Sequence, residues 1–293
     1  MPERSDLTTQ SGRIAAAFVQ ACRDELEAPK PGNVHAFADG HRMTAGDFER
    51  SAAAAARPLA MPRARVGVRI FRAVEAGFAA VGVNTNLGII LLCAPLAAAA
   101  EADRPNLRAS LSDVLQKLDR DDAEFAFRAI VRASPGGLGR SERHDVFQPA
   151  AVSLREAMAE ASDRDRIARQ YVTNFADVFE IGEALYAAER RASADRRKAT
   201  VAAYLGLLAA FPDTHIVRKH GVATAEQVRR EATGLQAKVR HADELDEIMP
   251  ILLAWDAELK QAGINPGTSA DLTVATVFAH HLRGILPPKP IGD

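Results

Sequence analysis

The chain has 293 residues, 47% hydrophobic and 26% charged, a length and composition that suit a globular protein with a sizeable buried core. Its 37 basic and 38 acidic residues leave a net charge of -1, so no global field would hold a nucleic-acid backbone or an anionic membrane surface. Any anionic ligand must be met locally, and neither a nucleic acid nor a membrane is an expected partner. Cys22 and Cys93 stand in apolar runs without Cys-x-x-Cys or His-rich spacing, which argues against a disulfide framework and a structural zinc site and for a reducing, cytoplasmic compartment. The polar segment 1–12 lacks the apolar core of a signal peptide.

Aromatic residues make up only 5% of an alanine-rich chain, and alanine is the residue least costly to place in a helix. Alternating β-branched runs are scarce, no period of 20–50 residues recurs, and no linker is long enough to separate domains. These features predict an all-α protein, one multi-helix domain over 1–293 whose active site is built from inter-helix loops. A helix over 11–27 follows from Ile14, Phe18 and Cys22 at i, i+4 and i+8. Directly after it, Lys30-Pro31-Gly32-Asn33-Val34 offers two stiffening prolines and a permissive glycine that could present Lys30 to a phosphate, or simply end the helix. Helices over 46–60 and 64–80 come next.

The stretch 76–100 carries no charge, but Asn84, Thr85 and Asn86 interrupt it and Pro95 interrupts it again, so a buried helix over 86–102 with a polar entrance is expected rather than a membrane span. Three polar side chains exceed what one N-cap needs, and free N–H groups at a helix start favour an anion. Helices over 107–118 and 120–132 lead to a glycine-rich segment, Gly136-Gly137-Leu138-Gly139-Arg140, whose backbone could approach a phosphate or form a plain surface loop. It matches neither a Walker loop nor a dinucleotide fingerprint.

Helices over 162–190 and 194–211 follow, and the Arg- and Ala-rich 187–198 reads as a solvated helix end or loop. Asp213, His215, Arg218, Lys219 and His220 then gather acid, imidazole and base within one polar segment. They suit a magnesium ligand beside polyphosphate-binding cations, or a helix start capped by Asp213. Helices over 223–237, 242–262 and 269–285 complete the chain. Before the last, Pro266-Gly267-Thr268-Ser269-Ala270-Asp271 places Asp271 either as a capping-box acid or as a carboxylate for metal or base catalysis.

Taken in order, Lys30-Pro31-Gly32-Asn33-Val34, Asn84-Thr85-Asn86-x-Gly88, Asp213-Thr214-x-x-x-Arg218-x-x-Gly221 and Pro266-Gly267-x-Ser269-Ala270-Asp271 resemble the triphosphoribosyl-dephospho-coenzyme A synthase family over about residues 20–285. The resemblance implies an all-helical transferase in which the 2′-hydroxyl of dephospho-coenzyme A attacks ribose C1 of ATP and adenine leaves. The glycine-rich segment, with His144-Asp145-Val146, resembles the archaeal-type branch, which also occurs in bacteria that use archaeal-type one-carbon coenzymes. A different acceptor in such a pathway, or a nucleotide-binding protein without chemistry, are the alternatives.

Within that resemblance Asp213 and Asp271 are the expected magnesium or base carboxylates. Glu25 is a further active-site acid, because the family places an acid just before the Lys-Pro-Gly turn. Lys30, Arg218 and Lys219 are the expected phosphate contacts. Asn84, Thr85 and Asn86 would position nucleotide hydroxyls or phosphates, with Asn33, Gly137 and Ser269 as further substrate contacts. Mg2+ accompanies ATP, and a homodimer is expected from the long apolar stretches.

Overall fold

Helix follows helix in the computed structural model, which describes residues 6–39, 43–134 and 143–288. Among these residues there are fourteen α-helices and no strand, only an isolated bridge between His35 and Ala38, so the all-α expectation holds. The chain divides into one unit of Met1–Gln20, Glu49–Phe175 and Phe278–Asp293 and a second of Ala21–Phe48 and Ala176–Val277. Helices α1 (Gln10–Glu27) and α14 (Gly267–Ile285) contribute residues to both, as does the helix over Ala45–Leu59, whose first turn belongs to the second unit.

In the first unit, α2 (Ala45–Leu59), α3 (Val66–Val81) and α4 (Leu87–Glu101) are followed by α5 (Leu107–Gln116), α6 (Arg120–Ala133), α7 (Leu154–Ala161) and α8 (Arg166–Thr173). The uncharged stretch does form a buried helix: Ile90, Leu92, Cys93, Leu96 and Ala97 of α4 are fully enclosed. Pro95 lies inside it and cannot donate to the carbonyl of Leu91, the partner four residues back. The hydroxyl of buried Tyr171 donates to that carbonyl instead, at 2.7 Å, so α4 continues through its proline. Helices α3 and α6 approach closely at Gly67, where a Cβ would stand 2.5 Å from the Asp122 carbonyl oxygen. The Gly67 N–H donates to the Asp122 carboxylate at 2.8 Å.

In the second unit a π-helix (Asp177–Gly182) runs into α9 (Glu183–Ala192), and α10 (Arg196–Ala210), α11 (Thr214–His220), α12 (Val222–His241) and α13 (Met249–Gln261) follow. Its core gathers Tyr204, Leu205 and Leu208 of α10, Ile216 of α11, Val228 of α12, and Leu252 and Trp255 of α13. The Trp255 indole N–H finds its partner in Glu231, at 2.9 Å.

Three differences from the sequence reading have local causes. The helix expected over 162–190 is divided, because Asn174 and Phe175 adopt φ of 52° and 56° and turn the chain after α8. Helix α7 stands where none was expected, started by a capping box between Ser153 and Glu156. A short helix over Thr214–His220 is added to the expected ones, and Asp213 caps it, which was the alternative reading of that acid. Residues 187–198 form the end of α9, a short break and the start of α10. There Lys198 is buried, paired with Glu189 at 2.7 Å and donating to the carbonyl of Ala242 at 2.8 Å.

Among the described residues no single helix is long and apolar enough to cross a membrane. One bent pair, Arg196–Ala210 with Thr214–His220, reaches that length and composition across a 54° break, and most of α10 is buried within the second unit.

Candidate active site

Three of the four motif segments lie in the second unit, and hydrogen bonds between side chains and backbone join them. The Lys-Pro-Gly turn leaves α1 at Ala28 and swings through Gly32, whose φ of +83° suits glycine. A Cβ there would meet Pro266 at 2.8 Å and the Ile264 carbonyl at 3.1 Å, so a bare backbone is required where this turn meets the one before α14. The Gly32 N–H donates to Asp256 of α13 at 2.8 Å, and the hydroxyl of Tyr204 donates to the Pro31 carbonyl at 2.7 Å. Asn33 donates to the Asn265 side-chain oxygen at 2.8 Å, tying the first motif to the last.

Lys30 is not presented to solvent. It is fully buried, and its ammonium donates to Glu25, to the Asn33 side chain at 3.0 Å and to the Val34 carbonyl at 2.8 Å, which occupies all three of its protons. Burial pushes Lys30 down and Glu25 up, each against the opposite charge of its partner. Glu25, expected as a further active-site acid, is buried as well and is the counter-ion of the turn lysine.

Asp213 is also fully buried. One carboxylate oxygen caps α11, accepting from the N–H groups of His215 at 2.9 Å and Ile216 at 3.2 Å. The other accepts from the N–H of Ser269 at 2.7 Å and its hydroxyl at 2.8 Å. Burial raises the Asp213 carboxyl, against the pull of these donors. Thr214 and Thr268 bridge the same junction through their hydroxyls at 3.0 Å, and the His215 ring lies over Gly267, where a Cβ would come within 2.8 Å of Nδ1. The starts of α11 and α14 are therefore fastened together by Asp213, with Ser269 as its partner.

What remains accessible around this assembly is Asp271, partly exposed on the first turns of α14, together with Arg218 and Lys219, exposed on the last turn of α11. Arg218 and Lys219 make no ion pair or hydrogen bond among the described residues. The negative charge of Asp271 acts to raise Lys30. Asn84, Thr85 and Asn86 belong to the other unit, at the start of α4, and Gly137 lies outside the described residues. Among the described residues no group of three His, Cys, Asp or Glu side chains could hold a metal ion by itself.

The model of one family, ATP:dephospho-CoA triphosphoribosyl transferase (CitG), matches residues 11–289. The chain belongs to this family. A crystal structure of a candidate triphosphoribosyl-dephospho-CoA synthase from Archaeoglobus fulgidus is similar to it, with 26% identity, a TM-score of 0.63, and coverage of 80% of this chain and 98% of that one. No curated protein matches the sequence. The motif turns that are bonded into one assembly, by pairs 56 and 232 residues apart in the chain, all lie within the matched region.

The sequence reading gave no role to four residues of that assembly, His35 and Asn265, which stand in its polar segments, and Asp256 and Lys260, which do not. Asp256 and Lys260 sit one helical turn apart on α13 and bond at 2.9 Å, and Lys260 also donates to the Ala38 carbonyl at 3.0 Å. His35 Nδ1 accepts from the N–H of Phe37 at 3.3 Å, which puts the ring proton on Nε2, 3.3 Å from Asp256. Burial would raise Asp256, but His35, Lys260 and the Gly32 N–H together hold its carboxyl below the usual range. The only available signal was the Lys-Pro-Gly turn itself, whose backbone N–H needs an acceptor; nothing local identifies one 224 residues away.

His35 carries a prediction. Burial, the largest influence on it, lowers its pKa below 6.5 despite the attraction of Asp256. The unfolded chain therefore binds a proton at His35 before the folded chain does. Stability is full above about pH 6.5 and falls as the pH drops toward the folded value. Thermal midpoints measured between pH 7.5 and 5 should decline, and His35→Gln should flatten part of that decline. An unchanged slope in the variant would remove His35 from the account.

Proposed function

We propose that this chain transfers the triphosphoribosyl group of ATP to the 2′-hydroxyl of dephospho-coenzyme A and releases adenine. One observation supports it beyond family membership. The three motif turns of the second unit are bonded together by Asn33 with Asn265 and Asp213 with Ser269, while Asp271, Arg218 and Lys219 keep solvent access. That division separates a rigid frame from groups that can meet substrate. In the reaction the acceptor oxygen forms a bond to C1 as the bond from C1 to the adenine nitrogen breaks. The hydroxyl proton passes to a base, adenine leaves with the bonding pair, and protonation of the nitrogen that held C1 gives neutral adenine with no net change in protons.

Cationic character develops at C1, so a carboxylate can take the proton or stabilise the charge. Of the three acids expected from sequence, Asp271 alone combines the right chemistry with access, and we assign it that role. Arg218 and Lys219 take the triphosphate as unpaired cations on one helix turn. Asp213 and Lys30, with Glu25, hold the turns in place.

Magnesium fits this donor set in a limited way. A hard cation that keeps its waters and shares phosphate oxygens needs few protein carboxylates, and with Asp271 assigned to the proton or the charge at C1 it would be held chiefly by the triphosphate and its own waters. When bound with ATP it supplies charge neutralisation on the triphosphate.

The test is incubation of the purified chain with ATP, magnesium and dephospho-coenzyme A, following free adenine by chromatography and the acceptor by mass. Adenine together with a triphosphoribosyl mass gain is the expected result. Adenine without that adduct would move the acceptor to another alcohol, and no adenine would overturn the reading.

A further inference from the structure

The polar entrance to α4 contains more than a helix cap. The Asn84 side chain accepts from the N–H of Leu87 at 3.2 Å and so does the capping. Asn86 stands at the N-cap position itself, yet its side chain makes no capping bond. Its amide turns toward Gly77 of α3, where a Cβ would lie 3.4 and 3.6 Å from its oxygen and nitrogen. The same point would lie 2.7 Å from the hydroxyl of Ser51 on α2. Ser51 is 0% exposed and Asn86 7%, and Ser51 Oγ, Thr85 Oγ1 and Asn86 Nδ2 are all enclosed without a hydrogen-bond partner. A buried polar atom left unpaired costs roughly 1–3 kcal/mol, and here three gather from helix α2 and the turn before α4.

Each of the three atoms can donate, and the amide nitrogen can only donate. Asn84 takes one of the free N–H groups of α4, which leaves those of Gly88 and Ile89 pointing out of the helix start. Three atoms that can all donate, one of them an amide nitrogen with no acceptor capacity, at the positive end of a fifteen-residue helix, suit oxygens that accept. We infer that Ser51, Thr85 and Asn86 line one pocket at the start of α4, held open by Gly77, that receives phosphoryl oxygens of a substrate. Ser51 and Gly77 thereby join the binding residues, on helices that carry none of the four motifs. The inference rests on the triphosphoribosyl transfer reading for its ligand: both the triphosphate of ATP and the pyrophosphate of dephospho-coenzyme A present such oxygens.

Calorimetric titration of the full chain with inorganic tripolyphosphate, and separately with dephospho-coenzyme A, distinguishes the two sources. Ser51→Ala and Asn86→Asp should weaken one of the two ligands by about tenfold or more, because a hydrogen bond to a charged group is lost in the first and a repulsive carboxylate is added in the second. Loss of tripolyphosphate assigns the pocket to the donor, and loss of dephospho-coenzyme A to the acceptor. Ser51→Ala should not lower the ligand-free thermal midpoint and should raise it by whatever the unpaired hydroxyl costs, since the group it removes has no partner there.

Unchanged affinity for both ligands, or a lower ligand-free midpoint with normal affinity, would show that the pocket holds only a structural water and would overturn the inference. The adenine assay is independent. Normal adenine release with unaltered binding in both variants defeats the pocket and spares the transferase reading, whereas tripolyphosphate binding through Ser51 without adenine release does the reverse.

Discussion

Asp213→Asn should lower the thermal midpoint of the second unit by on the order of 5–10 °C while leaving the magnesium dependence of turnover where it is. The carboxylate accepts four hydrogen bonds, three of them from backbone N–H groups that cannot change role. An asparagine keeps the shape but must aim its NH2 either at the N–H groups of His215 and Ile216 or at those of Ser269. Donor then faces donor on one side, and one or two buried N–H groups lose their acceptor, at about 1–3 kcal/mol each. Ser269→Ala removes only the hydroxyl and keeps the backbone bond, so its cost should be nearer 1 kcal/mol.

If Asp213 held magnesium directly, the pattern would invert. The metal concentration needed for half-maximal adenine release would rise steeply, with little change in the midpoint. Both quantities can be read from one preparation, by differential scanning calorimetry and by the adenine assay across a magnesium series. Turnover itself should fall in either case, because α11 carries Arg218 and Lys219 and α14 carries Asp271, and the two helix starts meet at this carboxylate.

The same residue shows how far the sequence could be read. Asp213 with Arg218 and Lys219 was visible as a functional cluster, and an N-cap was visible as its alternative, but no spacing shows that a second pair of donors arrives from Ser269, 56 residues on. Helices with strong periodicity or uniform burial, such as α1, α4 and α14, were legible within a few residues. Helix α11 was not, since it has seven residues and buries only Ile216. The Ser153-x-x-Glu156 pattern could have located α7, because a capping box is a local signal.

Which motif side chains face inward was the part out of reach. Lys30 and Arg218 are both cations beside turns, and only tertiary approach decides that one is enclosed by Glu25, Asn33 and Val34 while the other stays in water. The motifs therefore mix residues that fasten the turns together with residues that stay exposed.

The enclosed ion pair gives the second large effect. Lys30→Met should cost about 3–5 kcal/mol, since it leaves Glu25 as an uncompensated buried charge and removes the donor to Asn33 and Val34. Adding Glu25→Gln to it should recover part of that loss, because the charge disappears with its partner, so the double variant should be more stable than Lys30→Met alone. The single variant also carries a signature in pH.

Burial raises the Glu25 carboxyl, and without Lys30 nothing on this turn opposes it. Folded Glu25 then binds a proton more readily than unfolded Glu25, so the variant is steadied at low pH and loses that support as the pH rises through the folded value. Acidification from pH 7.5 to 5 should therefore raise the midpoint of Lys30→Met relative to wild type, against the decline that His35 imposes on both. A Lys30→Met protein with a wild-type midpoint and pH profile but a much higher KM for ATP would instead place Lys30 on the triphosphate, and would mean that the turn opens when substrate binds.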